Sequence, residues 1–198
     1  MTRVAICGVA RTPIGKFRGS LSNLSAVDLG IRAVKELLHR CNIDPEAGIV
    51  DEVLFGQVLQ AGAGQAPARQ VALGAGLPNT IAATTINKVC GSSLKAVMMA
   101  ANSIRAGQTQ VVIAGGMESM TNAPKFEKRN GDDKEMVSTM VHDGLWDVYN
   151  DLHMGNTGEI IANECNISRE KMDSFAARSQ HLAAHAEQSG WFDWERFE

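Results

Sequence analysis

The chain carries no charge excess. With 19 Lys and Arg against 22 Asp and Glu, its net charge of -3 gives no reason to expect nucleic acid or an anionic membrane surface as a partner. Long hydrophobic runs are also missing, and none approaches the roughly 20 residues a membrane-spanning helix needs. The N-terminal stretch "MTRVAICGVARTP" is too short for the apolar core of a secretion signal and reads better as a first strand. Cysteine is sparse and scattered: Cys7, Cys41, Cys90 and Cys165 form no CxxC pair. That pattern argues against a disulfide framework and a zinc site and suits a reducing compartment, with the cytoplasm expected. There is no internal repeat and no low-complexity segment. What remains is a 198-residue chain, 44% hydrophobic, long enough to bury a core as one large domain or two small ones.

Strand and helix signals alternate through the first part. Residues 3–9, "RVAICGV", form an apolar run ended by Arg11-Thr12-Pro13 and predict a buried strand. A helix follows, with Ser25 as N-cap, Asp28 three residues on, and an apolar stripe of Leu29, Ala33, Val34 and Leu37. Further strands are expected over 51–58, 82–87 and 110–116. Between them lie a short helix opened by Pro67 and a longer one from about Gly91 to Ala106. The alternation defines an α/β protein with a largely parallel, buried sheet. After Gly116 the sequence turns polar and charged, as in an excursion away from the sheet. "KFEKRNGDDKEM" reads by itself as a solvated loop. A helix through "GNTGEIIANEC" comes next, then another with Ser168 as N-cap and Gly190 as its stop.

The segment richest in chemistry is "NKVCGSSLKAV", residues 87–97. It puts Cys90 at a strand-to-helix junction, where the first helical turn leaves backbone N–H groups unpaired. Those groups and the helix dipole favour a thiolate, and they suit an oxyanion formed when the sulfur attacks a carbonyl. Gly91, Ser92 and Ser93 leave the approach open. An inert, buried thiol is the commoner fate of a lone cysteine, and local physics leaves both readings open. Cys7 in a strand run and Cys41 at a helix end take the inert reading. Nothing in the sequence pairs His39, His142, His153, His181 or His185 with Cys90. The four-residue spacing of His181 and His185 fits a metal pair, but no third ligand stands at matching spacing, so a solvated helix face is favoured and no metal is expected.

Six pieces together resemble the thiolase family of acyl-CoA C-acetyltransferases. They are "RTPIGKFRGSLS" (11–22), "GQVLQAGAGQAPARQVAL" (56–73), "NKVCGSSLKAV" (87–97), "AGGMESMTNAP" (114–124), "DGLWDVYNDLHMG" (143–155) and "MDSFAARSQ" (172–180). The resemblance implies the N-terminal half of a thiolase-type layered fold, a mixed and mainly parallel sheet with helices, plus part of an inserted loop domain. Residues 1–116 would be the nucleophile-bearing half-domain. Residues 117–198 would be the loop domain that covers pantetheine and CoA and carries oligomerisation contacts. Cys90 is implied as the acyl-accepting nucleophile, with its own N–H in an oxyanion hole, and His153 and Met154 as lining the pantetheine and acyl pocket. No cofactor is implied, since coenzyme A thioesters are the substrates.

Family members are about twice this length, and their second half carries a histidine in a motif like "NEAF" and a second cysteine in a Cys-x-Gly motif. Neither motif occurs here. The resemblance therefore implies a subunit or half of an acetyl-CoA C-acetyltransferase. Its complementary thiolase chain would carry the missing His and Cys, in a hetero-oligomer built on a thiolase-type dimer or tetramer. The competing expectation is a non-catalytic CoA-binding or assembly protein that retains the half-fold.

Overall fold

The computed structural model describes residues 3–130 and 133–197. Its centre is a three-stranded parallel sheet in the order β2-β1-β3, made of β1 (Glu52–Gly56), β2 (Ala82–Ile86) and β3 (Val112–Gly116). Strand β1 is buried from Val53 to Gly56. Its alternating side chains feed two cores, Val53 and Phe55 on one face and Leu54 on the other. The first core is the larger, joining those side chains to α1 (Ala26–Arg40), α2 (Pro67–Gly74) and Ile113. The second is thin, Leu54 against Ala96 and Ala100 of α3 (Ser92–Arg105), and these small side chains bring the helix close to the sheet.

Helix α1 begins where its cap predicts. The Ser25 hydroxyl accepts the Asp28 N–H at 3.1 Å, and the Asp28 carboxylate accepts the Ser25 N–H at 2.9 Å. Its buried face is Ala26, Val27, Gly30, Val34 and Leu38. Of the expected stripe, Val34 is buried while Leu29, Ala33 and Leu37 are only half-buried. The rotation has a cause in Gly30, where a Cβ would stand 2.7 Å from Val71 and 2.8 Å from the Met117 sulfur. The helix meets α2 and the sheet through that bare backbone.

Two expectations fail. Residues 3–9 form no strand: the segment is irregular, and Ile6 is 79% exposed. An apolar run becomes a strand only where a neighbouring edge takes its backbone hydrogen bonds, and here only Arg11 finds such a partner. The Arg11 N–H donates to Glu195 O at 2.7 Å, and the Phe197 N–H donates to Arg11 O at 3.1 Å. Nor is the charged stretch after Pro124 a loop. It is an antiparallel hairpin of β4 (Lys125–Asn130) and β5 (Asp133–Ser138), in which Phe126 is opposite Val137 and Glu127 pairs with Arg129 at 2.9 Å. Residues 131–132 of that stretch lie outside the described residues.

Beyond the hairpin come a π-helical turn (Met140–Leu145) and the short pair β6 (Trp146–Asp147) and β7 (Leu152–His153). Helices α4 (Met154–Glu164) and α5 (Arg169–Gln188) follow, α5 capped by the Ser168 hydroxyl and stopped near Gly190 at φ 67°. The guanidinium of Arg40 donates to Trp194 O and Arg196 O, each at 2.8 Å, clamping the final segment to the end of α1. Among the described residues, no helix is long and apolar enough to cross a membrane.

Candidate active site

The three parallel strands end at Gly56, Ile86 and Gly116, and the loops that follow them meet at one edge of the sheet. Such carboxyl ends are where open α/β sheets build their sites. Glycines set the spacing here. A Cβ on Gly56 would sit 2.7 Å from the Ser92 backbone and from the Ser93 nitrogen, and one on Gly116 would strike the Ser93 hydroxyl. The start of α3 therefore rests directly on the strand ends and carries Cys90 with it.

The turn that presents Cys90 is tightly specified. Val89 has φ 47°, a conformation that a β-branched residue avoids. Side chains on both sides hold it there. Asn87 Oδ1 accepts the Val89 N–H at 2.9 Å. The buried Ser92 hydroxyl accepts the Lys88 N–H at 2.8 Å and donates to Val89 O at 2.6 Å. Cys90 is exposed, as are Cys7 and Cys165, so it is not a buried thiol.

Cys90 opens into a cavity of about 360 Å³ shared with Gln57, Val58, Leu59, Met117 and Glu118, and with Gly144 and Leu145 of the π-turn. Two of these residues escaped the sequence reading. Glu118 reaches back from β3: its carboxylate accepts the Val58 N–H at 2.8 Å and the Leu59 N–H at 3.3 Å. Burial pushes its carboxyl above the ordinary value of 4.5, while the two N–H donors pull it partly back. Gln57 is 2% exposed and donates to Leu59 O at 3.1 Å, and its amide oxygen has no partner among the described residues. The only signal for Glu118 was its place in "AGGMESM", immediately past a strand end.

The structure does not bring His153 and Met154 to this cavity. His153 pairs with Trp146 and caps α4, its ring nitrogen accepting the Gly155 N–H at 2.9 Å, and Met154 opens that helix. None of the five histidines lines the Cys90 cavity among the described residues. His181 and His185 are exposed on α5, with the His185 ring edge-on to Trp191 at 5.6 Å. Among the described residues, no group of three or more His, Cys, Asp or Glu is arranged to hold a metal. The site thus offers an accessible thiol at the start of a helix, in a cavity with one half-buried carboxyl.

A parallel sheet covered on both faces, with a cysteine at the start of a helix beside its carboxyl ends, defines an α/β scaffold, and comparison with known proteins narrows the class. Residues 4–196 match the model of the thiolase N-terminal domain, and the chain belongs to the thiolase family. It is 52% identical over 197 residues to acetyl-CoA acetyltransferase 2 of Arabidopsis thaliana, covering 97% of this chain and 48% of the relative. To the acetyl-CoA acetyltransferase of Cupriavidus necator it is 52% identical, covering 98% and 50%. To a probable acetyl-CoA acetyltransferase of Escherichia coli it is 49% identical, covering 97% and 50%. The chain spans about half the length of these relatives.

Proposed function

We propose that this chain is one half of an acetyl-CoA C-acetyltransferase in which Cys90 takes the acetyl group. The Cys90 sulfur attacks the thioester carbonyl of acetyl-CoA, the bond from that carbon to the CoA sulfur breaks, and CoA leaves as a thiolate that takes up a proton. A base then removes an α-proton from a second acetyl-CoA. The resulting carbanion attacks acetyl-Cys90, forming the new carbon–carbon bond and releasing acetoacetyl-CoA and the free thiolate. Thiolysis of a short 3-ketoacyl-CoA is the same path in reverse.

One observation carries the reading: Cys90 stands exposed in a cavity at the start of α3, on a turn held in a strained conformation. The same observation disfavours a non-catalytic assembly role, which has no use for an accessible thiol there. No histidine lines that cavity among the described residues, and the relatives are about twice as long. The base and the second cysteine therefore come from a complementary half, on a partner chain or in continuation of this one. His153 and Met154 line the pantetheine and acyl path once that half closes the site. Residues 117–198 act as the covering loop domain, a division supported by the parallel sheet ending at Gly116. Four free cysteines support a reducing compartment such as the cytoplasm.

The test is to incubate the native assembly with acetyl-labelled acetyl-CoA alone and digest it. The label is expected on the Cys90 peptide, released by hydroxylamine and absent from Cys90→Ala. Label on another residue, or unchanged labelling in the variant, would refute the proposal.

A further inference from the structure

Past Gly56 the ladder of the parallel sheet ends with the Gln57 N–H donating to Ile86 O at 3.0 Å. Beyond it, side chains from the β3 side and from the Cys90 turn reach the wall facing Cys90. Glu118 takes the N–H groups of Val58 and Leu59 from the β3 side. From the Cys90 side, Asn87 donates to Val58 O at 3.4 Å, and the same Asn87 accepts the Val89 N–H at 2.9 Å. Gln60 donates to Gln57 O at 2.9 Å and closes the loop on itself. A continuous strut thus runs from the Glu118 carboxylate through the Val58 peptide and Asn87 to the residue next to Cys90. Val58, Leu59 and Glu118 all line the cavity into which Cys90 opens.

We propose that Glu118 is a positioning residue for Cys90, its carboxylate fixing the Val58–Leu59 wall and, through Asn87, the strained turn that presents the thiol. This rests on the reading of Cys90 as the nucleophile. Arg11 and Lys16 line the neighbouring cavity of about 410 Å³ together with Glu118, and Cys90 lines its own. None of them makes a hydrogen bond to its carboxylate, which leaves the two backbone donors as what it holds.

The molecule supplies its own control. Asp51, at the opposite end of the sheet, also ties two backbone N–H groups with one carboxylate, those of Gln110 at 2.6 Å and Val111 at 2.9 Å. Loss of either carboxylate loosens a strand connection, but only Glu118 borders Cys90.

The experiment measures iodoacetamide labelling of Cys90 relative to the exposed Cys7, by peptide mass spectrometry on the full chain in its native assembly. Glu118→Gln is expected to lower the Cys90-to-Cys7 ratio about tenfold, as a misplaced reactive group does. Asp51→Asn is expected to leave that ratio within about twofold, since it only relaxes a distant tie. Glu118→Asp, which restores a carboxylate, is expected to recover part of the loss. If Glu118→Gln does not fold, Asn87→Ala breaks the other end of the strut and is expected to lower the ratio likewise. Equal ratios in Glu118→Gln and Asp51→Asn, or no recovery in Glu118→Asp, would overturn the inference. Wild-type Cys90 reacting no faster than Cys7 would instead fell the nucleophile reading, and this inference with it.

Discussion

Asp51 and Glu118 show how the same residue chemistry acquires opposite behaviour from its surroundings. Each carboxylate accepts two backbone N–H groups. Asp51 is exposed, so the donors from Val111 and Gln110 dominate and hold its carboxyl below the ordinary value of 3.8. Glu118 is half-buried, and there desolvation outweighs the donors. The consequences for stability have opposite signs. The contribution of Asp51 is present above its ordinary value and is lost as pH falls through its lowered one. That of Glu118 is fullest at acid pH and fades as pH rises through its raised value. Urea unfolding of Asp51→Asn beside the wild type should therefore show a stability gap at pH 7 that shrinks toward pH 3. A gap independent of pH would mean that ionisation of Asp51 does not strengthen its tie to Gln110 and Val111. Val89 makes the residue-scale point in another way. Its left-handed backbone costs on the order of 1–3 kcal/mol, and the Asn87 and Ser92 side chains hold it there beside the one thiol that opens into the strand-end cavity.

At the scale of elements, contact between α3 and the sheet determines where Cys90 stands. Gly56→Ala should drive α3 off its seat, because the new Cβ meets backbone atoms at 2.7 Å and backbone cannot rotate away. The expected cost is about 1–3 kcal/mol, with slower labelling of Cys90. Gly158→Ala, with open space around it in α4, should be neutral or stabilising by about 0.5 kcal/mol. Equal effects from the two would show that the close approach is relaxed in solution. The three sheet strands and the five helices foreseen around and after them were legible in sequence because their signals are local: caps at Ser25 and Ser168, Pro67 at a helix start, β-branched residues over 82–86. Cys90 was legible for the same reason, as a junction between two such elements. Apart from the β4–β5 hairpin, a pairing of adjacent segments whose charged residues hid it, the failures were non-local. Whether residues 3–9 form a strand depends on a distant edge, the phase of α1 depends on Val71 and Met117 meeting Gly30, and Glu118 acts on residues 59 and 60 positions away.

Across the whole molecule, apolar side chains stand in water on faces that a finished core would cover. On α3, Leu94 is 66% and Met98 51% exposed, on the side away from the sheet. Phe175 and Leu182 on α5, and Trp191 and Trp194 beyond it, are exposed as well. The outer edge of β2 has no strand beside it among the described residues. The α3 face adjoins the site, since α3 begins two residues after Cys90. The proposed complementary half would cover the α3 face and bring its base to the Cys90 cavity in the same step, so assembly and activity should be inseparable. This chain expressed by itself is expected to self-associate and to bind an apolar dye. Added complementary half should release the dye, give one defined complex in native mass spectrometry with equal numbers of each half, and switch on acetoacetyl-CoA formation. A monodisperse, dye-free monomer that melts cooperatively would mean that the exposed α3 face is a true solvent surface. The base for Cys90 would then have to be sought within residues 1–198 themselves.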